Sequence, residues 1–149
     1  IPGHTRGHIA FLWDKHLFCG DTLFGCGCGK LFEGSAAQLH QALQRFAQLP
    51  DDTLMYCAHE YTELNLPFAL QCEPGNTQLQ QREQDTHALR EQGQPTLPVT
   101  MSLEKATNPF LRCSEPEVIR NIERKLGHPL PNHDELTVFT AMRKLRDQC

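Results

Sequence analysis

Lys15-His16-Leu17-Phe18-Cys19-Gly20-Asp21-Thr22 is the stretch that decides the fold class. Its first part is a short run of aromatic and aliphatic side chains, stopped by Gly20-Asp21, and reads as a strand that ends in a loop. A similar run, Ile9-Ala10-Phe11-Leu12-Trp13, precedes it. A third, Thr53-Leu54-Met55-Tyr56-Cys57-Ala58, is stopped by His59-Glu60. Between the second and third, Ser35 stands three positions before Gln38, as in a capping box. Leu39, Ala42, Leu43, Phe46 and Leu49 then recur at helical spacing until Pro50 closes the segment. Strand, loop, helix, strand in that order predicts a layered α/β unit over residues 1–61.

From residue 62 onward Gln, Glu and Arg become frequent and helical periods replace short strands. The spacing predicts helices over Leu64 to Cys72, with Pro67 in the first turn, and over Thr77 to Gln92. Two more are predicted, one opened by Ser114 with Glu117 and ended by Gly127, and a last one capped by Asp134. Gln94 to Pro98 reads as a loop. Residues 62–149 therefore form a helical part.

The 149 residues are 39% hydrophobic and 21% charged, the balance of a folded chain of about one domain. The net charge of -4, without a Lys/Arg run, argues against nucleic acid as a partner. No apolar run approaches the ~20 residues of a membrane helix, so no membrane is expected as a partner. Seven cysteines, several inside apolar runs, read as reduced thiols and place the protein in the cytoplasm. Gly25-Cys26-Gly27-Cys28-Gly29 lacks the C-x-x-C spacing and reads as a glycine loop that tolerates cysteine. The opening Ile1-Pro2-Gly3-His4, with no initiating Met, reads as the interior of a longer protein.

Three polar residues stand at strand ends or in Gly-rich turns: His4, Asp21 and His59. Singly, Asp21 reads as a turn residue and His59 as a hydrogen-bonded core histidine. Together, two imidazoles and a carboxylate form a reasonable donor set for zinc, iron or manganese, and a carboxylate can bridge two ions.

Four segments give the combination its specificity. Pro2-Gly3-His4-Thr5-Arg6-Gly7-His8, Phe18-Cys19-Gly20-Asp21-Thr22-Leu23-Phe24, Gly27-Cys28-Gly29-Lys30-Leu31-Phe32-Glu33-Gly34 and Cys57-Ala58-His59-Glu60-Tyr61-Thr62 follow in order. Glu73-Pro74-Gly75-Asn76, Asn108-Pro109-Phe110-Leu111-Arg112 and Met142-Arg143-Lys144-Leu145-Arg146-Asp147 continue the pattern. The chain closely resembles glyoxalase II, the hydroxyacylglutathione hydrolases of the metallo-β-lactamase superfamily. The resemblance implies the C-terminal half of an αββα sandwich followed by a helical substrate-binding domain. It implies two divalent metal ions, zinc first, with iron or manganese as alternatives. His4 would bind one ion, His59 the other, and Asp21 would bridge them, the three acting in catalysis through the metals. His8 would support a ligand without being one. Lys30, Phe32, Tyr61, Arg143 and Arg146 would bind the substrate. Phe32 stands where some members have Tyr, Arg146 where Lys is usual, and Met142 where Leu is usual. Taken alone, Arg143 and Arg146 read as a solvated helix face.

The implied reaction is hydrolysis of S-2-hydroxyacylglutathione, such as S-D-lactoylglutathione, to D-lactate and glutathione. That is a step of methylglyoxal detoxification, carried out by a monomer when full length. The family's T-H-x-H-x-D-H segment, which supplies most metal ligands, has no counterpart among these residues. The chain alone is therefore expected to be poorly stable and close to inactive, with its first strands exposing an apolar face and an unpaired edge. Two alternatives stay open: a glutathione persulfide dioxygenase of the same superfamily, and a non-catalytic glutathione-binding domain.

Overall fold

In the computed structural model, which describes residues 1–149, the chain opens with a hairpin. Strand β1 (Phe11–Trp13) pairs antiparallel with β2 (His16–Gly20), turning through Asp14 at φ 53°. Two short strands, β3 (Leu23–Phe24) and β4 (Gly27–Cys28), form a second hairpin with Cys26 at φ 58°. Helix α1 (Ala36–Ala47) follows, and its capping box is complete: the Ser35 side chain accepts from the Gln38 N–H and the Gln38 side chain from the Ser35 N–H. Leu39, Ala42, Leu43 and Phe46 form its buried stripe. Strand β5 (Leu54–Cys57) then returns parallel to β2.

The remainder is helical: α2 (Thr62–Cys72), α3 (Thr77–Glu91), α4 (Met101–Thr107), a 3-10 turn at Pro109–Leu111, α5 (Pro116–Leu126) and α6 (Glu135–Asp147). A short strand β6 (Val99–Thr100) precedes α4 and pairs antiparallel with β5. The main sheet has the order β1-β2-β5-β6 and is mixed. The fold is α/β, as the sequence predicts. One core of 20 buried residues joins the two stretches, with Leu17, Leu43 and Met55 packed among Phe110, Ile122 and Phe139. No helix is long and apolar enough to cross a membrane.

Several details differ from the sequence reading. Ile9 and Ala10 lie outside β1. Helix α2 begins at Thr62, so Pro67 lies inside it rather than in its first turn, and one intrahelical donor is missing. Helix α5 begins at Pro116 with Glu115 as its cap residue and no side-chain cap bond. The preset φ of Pro116 suits the first helical position, which makes Ser114 unnecessary as a cap. β1 is the edge of the sheet and all its side chains are exposed, Trp13 by 77%. Phe18 in β2 is exposed as well.

Candidate active site at the ends of the parallel strands

β2 and β5 are parallel neighbours, and their carboxyl ends carry Asp21 and His59. That is where open α/β sheets place their ligands. His4 arrives from the amino-terminal turn, which is tied to the segment after β4 by the Phe32 N–H to the His4 carbonyl and the Gly34 N–H to the Gly3 carbonyl. His4 Nε2 lies 3.6 Å from Asp21 Oδ2, and His59 Nε2 lies 3.2 Å from Asp21 Oδ1. Asp21 Oδ1 is buried and accepts no hydrogen bond.

The neighbours fix these groups. His4 Nδ1 donates to the Lys30 carbonyl at 2.7 Å, which leaves the lone pair of a neutral imidazole on Nε2, toward Asp21. His8 Nε2 accepts from the Asp21 backbone N–H at 3.0 Å, so that nitrogen is engaged in holding the Asp21 turn. Gly29 lies so close that a Cβ there would meet the Asp21 carbonyl oxygen at 2.0 Å. Phe32 stands edge-on to the His4 ring, 5.0 Å between centroids. The His59 ring is stacked with that of Tyr61, and Phe24 packs edge-on against Tyr61 at 4.9 Å.

The donors fit part of a dinuclear site. His4 and His59 each lie nearest a different oxygen of Asp21. His4, Asp21 and His59 are the residues here that would contribute donors to such ions. No group of three or more His, Cys, Asp or Glu side chains surrounds a single point, whereas a held zinc needs about three protein donors. The buried, unpaired Oδ1 facing an imidazole is the feature a cation would satisfy.

Beside these donors lies a cavity of about 430 Å³. Lys30, Phe32, Tyr61, Arg143 and Arg146 all line it. Its floor is the β3–β4 hairpin, whose backbone is held by side chains from the helical part. Asn108 Nδ2 donates to the Phe24 and Gly27 carbonyls, and Asn65 Nδ2 to the Gly25 carbonyl. The Cys26 N–H donates to Glu104 Oε2, and Arg143 Nη1 donates to the Cys28 and Gly29 carbonyls at 2.7 and 3.2 Å. Glu104 is itself paired with Arg82 in a fully interior ion pair.

The two arginines thus differ. Arg143 is 4% exposed; Nη1 is engaged by the hairpin and Nη2 by Asp147, while Nε is buried without a partner. Arg146 has one long contact, 3.4 Å to Asn65 Oδ1. The Lys30 side chain is exposed. Lys30 and Arg146 are therefore the cations open to a carboxylate. Asn65, Glu104, Asn108 and Arg82 escaped the sequence reading because no local pattern distinguishes a polar residue on a helix from one that holds a distant hairpin.

All seven cysteines are free. Burial raises the Cys28 and Cys57 thiols to about 11, which leaves them protonated near neutrality.

Comparison with known proteins resolves the family. Residues 60–149 match the family model described as the hydroxyacylglutathione hydrolase C-terminus. The chain belongs to the hydroxyacylglutathione hydrolase family. It is 51% identical over 143 residues to a hydroxyacylglutathione hydrolase of Nitrosomonas eutropha, covering 96% of this chain and 55% of that protein. It is 52% identical over 147 residues to one of Methylobacillus flagellatus, covering 99% of this chain and 56% of that protein. A third, from Xanthomonas axonopodis pv. citri, is 49% identical over 148 residues, covering 99% of this chain and 57% of the relative. The chain thus spans a little over half the length of the hydroxyacylglutathione hydrolases it matches.

Proposed function

We propose that this chain supplies the thiol-carrier cavity and part of the metal donors of a metal-dependent hydroxyacylglutathione hydrolase. The reaction is hydrolysis of S-D-lactoylglutathione or a related 2-hydroxyacyl thioester to the 2-hydroxy acid and glutathione, as in methylglyoxal detoxification. The observation that carries this reading is the meeting of Lys30, Phe32, Tyr61, Arg143 and Arg146 around one cavity beside His4, Asp21 and His59.

Glutathione carries two carboxylates and one ammonium. Lys30 and Arg146 offer it cations, Asp147 a carboxylate, and Phe32 and Tyr61 apolar walls. The Lys30 carbonyl holds His4 in one tautomer while the Lys30 side chain faces the cavity, so one residue serves both sides of the site. Divalent metals bound by such donors supply Lewis acidity and a water of lowered pKa. Asp21 and the two histidines would hold such ions beside the cavity. Three donor residues are too few for two ions, so the remaining ligands come from residues outside this chain. The match of the helical part to the hydrolase C-terminus favours hydrolysis over persulfide dioxygenation. The free, mostly buried cysteines favour a reducing compartment, the cytoplasm.

The test is made in a full-length hydrolase carrying these residues. Asp21→Ala is expected to lose bound metal and thioester hydrolysis together, and normal metal content and rate in that variant overturn the reading. The 149-residue chain by itself is expected to turn over no thioester. Glutathione binding without metal or turnover in the full-length protein supports the non-catalytic alternative.

A further inference from the structure

His59 and Tyr61 stand on a four-residue turn, 58–61, between β5 and α2, in which the Cys57 thiol donates to the His59 carbonyl at 3.2 Å. The Ala58 N–H reaches the Gly20 carbonyl at 2.9 Å, and the Tyr61 carbonyl accepts the first bond of α2 from Asn65. Tyr61 takes the cap position of α2 without a side-chain bond. Between the two functional rings, Glu60 points the other way, to a segment far along the chain. Its Oε2 accepts the Thr96 N–H at 3.1 Å and its Oε1 accepts the Thr96 hydroxyl. The Thr62 hydroxyl lies 3.0 Å from Thr96 Oγ1.

Thr96 belongs to the 94–98 loop between α3 and β6, most of which is exposed. Nothing in the thioester chemistry uses Thr96, and it lines no part of the cavity. Yet both its backbone and side-chain donors converge on the one carboxylate in the turn that carries His59 and Tyr61. A two-point clamp fixes orientation as well as position, because one bond leaves a rotation that the second removes.

We infer that Thr96 is a positioning residue for the site: by clamping Glu60 from both donors, it sets the turn that holds the His59 imidazole and the Tyr61 ring face to face. The helical part thereby controls a metal donor on the sheet as well as a wall of the cavity. The inference rests on the reading of His59 as a ligand only for its effect on turnover; its effect on the ring stack is independent of that reading.

The experiment uses a full-length hydrolase carrying these residues, with tyrosine rings labelled for NMR. Tyr61 is assigned by its loss in Tyr61→Phe, and Tyr56, which stacks on Phe18 in the sheet, reports that the fold is intact. Thr96→Val removes the hydroxyl at nearly constant volume; Thr96→Ser keeps it. In Thr96→Val the Tyr61 ring signals are expected to lose the upfield shift caused by the His59 stack while Tyr56 stays unchanged. Thioester turnover should fall roughly 10- to 100-fold, the usual range when a group that orients a metal ligand is lost. Thr96→Ser should restore both. Unchanged Tyr61 signals in Thr96→Val overturn the inference whatever the rate. Shifted Tyr61 signals, restored by Ser, with turnover unchanged throughout, uphold the clamp and overturn the catalytic reading of His59.

Discussion

The Tyr61 ring lies flat on the His59 imidazole, with 4.7 Å between centroids and 13° between planes. A wall of the cavity and a donor beside Asp21 are therefore one packed unit, and a change in either moves the other. Aromatic pairs of this kind contribute about 0.5–1.5 kcal/mol beyond burial. In a full-length hydrolase, Tyr61→Ala should weaken metal retention by roughly 2- to 10-fold as well as raise KM. Tyr61→Phe should keep the metal. Metal titration of both variants with a competing chelator measures the difference.

Arg143 and Arg146 should separate stability from binding. Arg143→Gln strips the Cys28 and Gly29 carbonyls of their donor and is expected to lower unfolding free energy by about 1–3 kcal/mol. Arg146→Gln should leave stability within about 0.5 kcal/mol and raise KM roughly 10-fold or more, as loss of a charged hydrogen bond to substrate would. Urea unfolding and steady-state kinetics on the same two variants check this. A large KM effect without a stability change in Arg143→Gln would show that its guanidinium serves the ligand instead.

Glu104 and Arg82 sit together in the interior, and Glu104 also holds Cys26 and Asn108. Removing the carboxylate charge leaves a buried guanidinium uncompensated. Glu104→Gln is expected to destabilise by about 3–5 kcal/mol, read from the urea midpoint.

The buried thiols predict an alkaline limit. Cys19, Cys26 and Cys72 are pushed up to about 12, in each case first by burial, from an ordinary value of 9.0. The folded values are raised, so the unfolded chain loses these protons first. Stability is complete below pH ~9 and declines as pH rises through the folded values. The urea midpoint should fall steadily from about pH 9 toward pH 12. At pH ~7.5, a thiol alkylating reagent should label the exposed Cys149 and leave these three unmodified until denaturant is added.

β1 presents a bare apolar edge. Phe11, Leu12 and Trp13 are exposed beside unpaired backbone groups, the combination that templates strand addition. The isolated chain should self-associate as its concentration rises, and Trp13→Lys should reduce that association. Light scattering of both across a concentration series measures it.

What could be read from the sequence follows from how locally each feature is encoded. Ser35 and Gln38 announce α1 because a capping box is a four-residue signal, and the structure contains it. His4, Asp21 and His59 stand out as polar residues closing apolar runs, and the structure brings them within contact of one another. The β3–β4 hairpin gives no such signal. Its strands are two residues each, too short for a period, and its bonds run to side chains tens of residues away. Thr96 is invisible for the same reason: a threonine in a Pro-flanked loop looks the same whether or not it clamps Glu60. The difference in roles between Arg143 and Arg146 is likewise a matter of burial, which helical spacing alone does not resolve three residues apart.

The hairpin floor is gripped along its backbone, from the Phe24 carbonyl to the Gly29 carbonyl. At Gly25, Gly27 and Gly29 the grip is too tight for a Cβ, while Phe24, Cys28 and Lys30 turn toward the cavity. Shape and surface are thereby written in different residues. Mutation at 30, where the side chain is exposed, can repaint the floor for another acyl or thiol group without loosening it, whereas Asn65, Asn108 and Arg143, which hold the hairpin backbone, are the positions where drift would be punished. Selectivity in this cavity is free to evolve at its exposed rim while its geometry stays under the guard of the helices.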